Sequence, residues 1–87
     1  MEGIEIVNPD SFRIRIEANE DTSFTVMFEP SGMPYNLGPS QYMYAEIPSL
    51  ELNELTIVQW NGGISIEPPG PVTTFDSDGS KLHDLHY

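Results

Sequence analysis

Alternation with a period of two is the feature that most restricts this chain. In FRIRIE (12–17), Phe12, Ile14 and Ile16 fall on one side and Arg13, Arg15 and Glu17 on the other. That is the pattern of a strand with one buried and one wetted face. GIEIV (3–7) alternates with Ile4 and Ile6 together, and TSFTVMF (22–28) places Phe24, Val26 and Phe28 on one side. No segment sustains the period of an amphipathic helix.

Turn chemistry separates the alternating runs. Asn8-Pro9-Asp10-Ser11 and Ala18-Asn19-Glu20-Asp21 carry residues that preset φ or bond to their own backbone. The first three runs are therefore expected to form a meander of consecutive antiparallel strands. EPSGMPYNLGPS (29–40) holds three prolines and two glycines. It excludes regular helix and central strand and reads as a crossover between two sheets, or as a functional loop.

QYMYAEI (41–47) is a strand apolar or aromatic on both sides, Tyr42 and Tyr44 on one and Met43, Ala45 and Ile47 on the other. Such a strand is central in its sheet or meets a partner. SLELNE (49–54) fits either one capped helical turn or a continuing strand. LTIVQW (55–60) and ISIE (64–67) flank Asn61-Gly62-Gly63, a tight hairpin signal. After the stiff Pro68-Pro69-Gly70-Pro71, VTTFD (72–76) and SKLHDL (80–85) form the last pair. The fold class expected is all-β: a small antiparallel sandwich or partly open barrel of about seven short strands built from hairpins. The 87 residues suit a single domain spanning 1–87.

Fourteen acidic residues against three basic ones give a formal net charge of −11. This balance repels nucleic acids and anionic membranes and favours basic partners. The charges are dispersed rather than gathered in an acidic tail. There is no cysteine, which excludes disulfides and zinc thiolates. With no leader-like segment at MEGIEIV and no apolar run of spanning length, a cytoplasmic protein is expected.

The motif DSDG (76–79) superficially matches the centre of a calcium-binding EF-hand loop. With Gly79 at the sixth position, Asp76 and Asp78 fit, but Thr74 and Leu85 stand where the first and last carboxylates belong. A hairpin turn with Gly79 at a positive φ accounts for the same residues. His83 and His86 with Asp84 between them resemble part of a metal site, but lie at a chain end where exposed histidines are expected. Ser80, His83 and Asp84 are too close in sequence to make a triad by adjacency alone. Gly62-Gly63 lacks the lysine of a phosphate loop. No catalytic residue, metal site or cofactor is expected, and the chain reads as a non-enzyme.

The function expected is that of a small acidic interaction protein that binds and neutralises a basic protein, in the manner of an immunity protein or inhibitor. Tyr42, Tyr44 and Trp60 are the aromatic anchors expected for it, with Glu46 and Glu67 as the carboxylates. Trp60 beside its turn suits the core equally well. The alternative is a small-ligand-binding or structural β domain, with the two-faced strand 41–47 leaving room for a homodimer.

Overall fold

The computed structural model describes residues 4–8, 11–48, 55–68 and 70–85. These contain nine strands: β1 (Ile4–Asn8), β2 (Ser11–Glu17), β3 (Phe24–Phe28), β4 (Met33–Leu37), β5 (Tyr42–Pro48), β6 (Thr56–Trp60), β7 (Gly63–Glu67), β8 (Val72–Phe75) and β9 (Lys81–Leu85). They make a five-stranded sheet ordered β1-β2-β5-β8-β9 and a four-stranded sheet ordered β4-β3-β7-β6. The two sheets face each other as a sandwich, not a closed barrel. The run 49–54 and His86 lie outside the described residues.

The core is made by the alternation. Phe12, Ile16, Met43, Ala45, Ile47 and Val72 come from the five-stranded sheet and meet Val26, Phe28, Leu37 and Ile66 from the other. Each of the larger side chains among these, when fully buried, contributes roughly 1.5–3 kcal/mol through the water it sheds. Tyr35 of β4 adds a polar tie across the sandwich. Its hydroxyl shares a hydrogen bond with the buried Thr74 hydroxyl (2.8 Å) and one with His83 Nδ1 (3.0 Å). Its ring meets Phe28 edge-on. Burial, partly offset by the bond to Thr74, raises the Tyr35 pKa above its ordinary value.

Three features differ from the expectation. Nine strands replace about seven, because the proline-rich segment contributes one of its own. β4 tolerates Pro34 because it lies at a sheet edge, where a missing N–H disrupts no second ladder. The meander breaks after β2, which pairs with β1 and β5 while β3 joins the opposite sheet. The Ala18 amide donates to the Gln41 carbonyl (2.9 Å), so the chain stays beside β5 before it leaves the sheet. The pairing is also not wholly antiparallel, since β3 runs parallel to β7 with Thr25 opposite Gly63 and Phe28 opposite Ile66.

Both late hairpins form. Asn61-Gly62 joins β6 to β7, with Gly62 at φ 96°. Between β8 and β9 the Gly79 amide donates to the Asp76 carbonyl (3.1 Å), and Gly79 has φ 92°. Leu82 is left unpaired as a bulge, because Phe75 opposes Lys81 and Thr74 opposes His83.

Candidate interaction surface

Each sheet turns one face to solvent, and the two faces differ in charge. On the five-stranded sheet, β2 and β5 align Arg13 with Glu46, Arg15 with Tyr44 and Glu17 with Tyr42. β8 continues the rows with Thr73 beside Glu46 and Phe75 beside Tyr44. The period of two brings all of these to one side.

This face is neutralised from within. Arg13 reaches Glu46 at 3.7 Å, and its guanidinium stands 4.6 Å from the Phe75 ring and 5.7 Å from Tyr44. Arg15 bonds Glu17 at 2.8 Å and lies 3.8 Å over Tyr42. The bond to Glu17 raises the Arg15 pKa further. Ser11 donates its hydroxyl to Glu46 (2.8 Å), while Thr73 and Lys81 both bond Asp84. The tyrosines pack edge to face along β5, with centroids 5.7 Å apart. Arg13, Arg15 and Lys81 are the chain's three basic residues, so its cationic side chains are spent on this sheet.

The four-stranded sheet presents a different surface. Its rows read Trp60, Gly63, Thr25, Asn36 and then Val58, Ser65, Met27, Pro34. Trp60 is 37% exposed and Val58 45%. The indole N–H donates to the Ser65 hydroxyl (2.9 Å), which holds the ring beside β7 next to Gly63. Gly63 is what permits this. A Cβ there would collide with the Thr25 carbonyl and come within 2.6 Å of the indole.

Carboxylates frame that face at both ends. Glu29, just after β3, and Glu67, the last residue of the parallel β7, lie at one end, with Pro30 and Pro68 forming a shallow pocket around them. Glu20 and Asp21 are exposed at the other end, in the loop that passes the β6–β7 turn. The four strands and the loop 18–23 contain no lysine, arginine or histidine.

The five anchors expected from the sequence therefore separate. Tyr42, Tyr44 and Glu46 lie together on the five-stranded sheet, half-buried and engaged with arginines. Trp60 and Glu67 lie on the opposite face, at the two ends of the β6–β7 pair. One flat partner surface cannot meet both groups. Met27, Val58 and Glu29 belong to the second group and were not singled out by the sequence, since strand order alone places them there.

The DSDG segment is a turn built from its own aspartates. Asp76 Oδ1 accepts from the amides of Asp78 (3.1 Å) and Ser80 (3.0 Å), and Asp78 Oδ1 accepts from the Ser80 amide (2.9 Å). Hydrogen bonding with the Asp76 side chain, then with Ser80, holds the Asp78 carboxyl below its ordinary value. His83, itself exposed, bonds Tyr35 on one side of β9, whereas Asp84 bonds Thr73 and Lys81 on the other. Lying on opposite sides of β9, they cannot act together with Ser80. Among the described residues, no group of three or more histidines and carboxylates is arranged around a metal position.

Compared with known proteins, the chain matches no family model, no curated protein and no solved structure.

Proposed function

We propose that this protein is a non-catalytic binding module that docks a basic protein on the outer face of its four-stranded sheet. One observation carries this reading: the chain's cations are paired off on the opposite sheet, while the face that exposes Trp60 and Val58 has, among the described residues, only carboxylates as the charged groups at its two ends. An apolar and aromatic centre with a rim of one charge gives anchoring at the middle and steering at the edge. The rigidly held indole loses little freedom on binding.

The test is capture of a partner from extract of the native host, followed by measured affinities with altered proteins. Trp60→Ala should weaken binding by about thirtyfold, close to 2 kcal/mol. Glu29→Lys with Glu67→Lys should slow association and flatten its dependence on salt. Tyr42→Ala with Tyr44→Ala should leave affinity within about threefold, as expected for residues outside the contact. If the tyrosine pair abolishes binding while Trp60→Ala spares it, the five-stranded face is the binding surface and this assignment is wrong.

A further inference from the structure

A β-sandwich has edge strands, and an edge is an open template for another strand unless something blocks it. Among the described residues the four edges are β1, β9, β4 and β6. β1 has a register break between Ile6 and Asn8. β9 carries Lys81, Asp84 and the Leu82 bulge. β4 carries Pro34. These are the ordinary devices that prevent edge pairing.

β6 has none of them. Its sequence TIVQW contains no charge, proline or glycine, and it pairs with β7 without a break from Thr56 to Trp60. All five residues are exposed, with Ile57 at 55% and Val58 at 45%. In a chain of net charge −11, a neutral β-branched edge is where a second copy meets least repulsion. A cationic partner would gain nothing electrostatic from this strand itself, because the carboxylates lie beyond its ends.

We infer that β6 pairs with β6 of a second copy, antiparallel and about a two-fold axis through Val58. Val58 then faces Val58 of the partner copy, Thr56 faces its Trp60, and Ile57 faces its Gln59. Such aromatic and β-branched pairs are favourable across strands. The contact is isologous and uses up the one edge that is unblocked among the described strands, so assembly stops at two chains. It joins the two four-stranded sheets into one continuous sheet and sets two Trp60 faces side by side. The inference stands whether or not a basic protein binds there.

The first measurement is sedimentation equilibrium of the full chain at low and high salt. A mass twice the 9.8 kDa chain is expected, with association tightening as salt rises, because screening relieves repulsion between two acidic chains. Binding of a basic partner has the opposite salt dependence, so the two readings fail separately. Val58→Lys and Val58→Glu should each sediment as one chain, since like charges would face each other on the axis. An equimolar mixture should recover the two-chain mass. Should either variant fail to fold, amide exchange of the unaltered protein decides: β6 amides should gain protection with concentration. A one-chain mass up to about millimolar concentration, a regime of only some 4 kcal/mol, overturns the inference. So does a Val58→Lys protein that still dimerises.

Discussion

Gly63 shows how one residue fixes the surface described above. It is buried between the Thr25 carbonyl and the indole of Trp60, and a methyl group there meets both. The carbonyl belongs to the parallel β3–β7 ladder and has little room to give. Gly63→Ala should therefore cost about 2–3 kcal/mol, seen as a fall in melting temperature on the order of 10–20 °C. Gly62→Ala, where φ is 96° but space is open, should cost about 1 kcal/mol from backbone strain alone. If the two variants melted together, crowding at Gly63 would be the wrong explanation. Tyr35 gives a pH test. Its folded pKa is raised by burial, so its contribution is complete below the ordinary tyrosine value and is lost as pH rises through the folded one. Urea midpoints should fall above about pH 10, and Tyr35→Phe should reduce that fall while costing about 1 kcal/mol at neutral pH.

The elements that were legible in the sequence are those whose turns state their own geometry. Asn61-Gly62 and Asp76-Ser77-Asp78-Gly79 demand positive φ at a glycine, and both hairpins form around one. Gly79→Val should destabilise by about 1–3 kcal/mol, because a β-branched residue resists φ 92°. Thermal unfolding followed by circular dichroism measures it. The Ala18–Asp21 segment carries turn residues too, but turn chemistry does not say which sheet the next strand joins. That choice rests on β5 and β7, which are far along the chain and take the places beside β2 and β3. The candidate site was half-legible for the same reason. Period two correctly groups Tyr42, Tyr44 and Glu46, yet only strand order shows that arginines of β2 occupy them. The role of Gly63 leaves no trace in the pattern, because it depends on a ring three residues away and on a strand in another hairpin.

At the scale of the whole molecule, charge and connectivity set the behaviour. With a net charge of −11, self-repulsion opposes the compact state and salt should relieve it. The melting temperature should rise steadily between about 0.02 and 0.5 M sodium chloride, a range over which the screening length falls several-fold. A flat response would mean that the acidic residues are too dispersed to matter. The chain also changes sheets after almost every pair of strands: β1 and β2 in one, β3 and β4 in the other, then β5, then β6 and β7, then β8 and β9. No contiguous half of the sequence contains a complete sheet. Melting one sheet alone would strip the other of its core, so unfolding should be all-or-none. Trp60 fluorescence, which reports one sheet, and the tyrosine signal, dominated by the other, should trace the same denaturation curve. During synthesis the consequence is sharper. β3 emerges with β4 as its only sheet neighbour and waits for β7, and β2 waits for β5. The first half of the chain leaves the ribosome as two hairpins with exposed apolar sides, and neither sheet closes until the second half arrives.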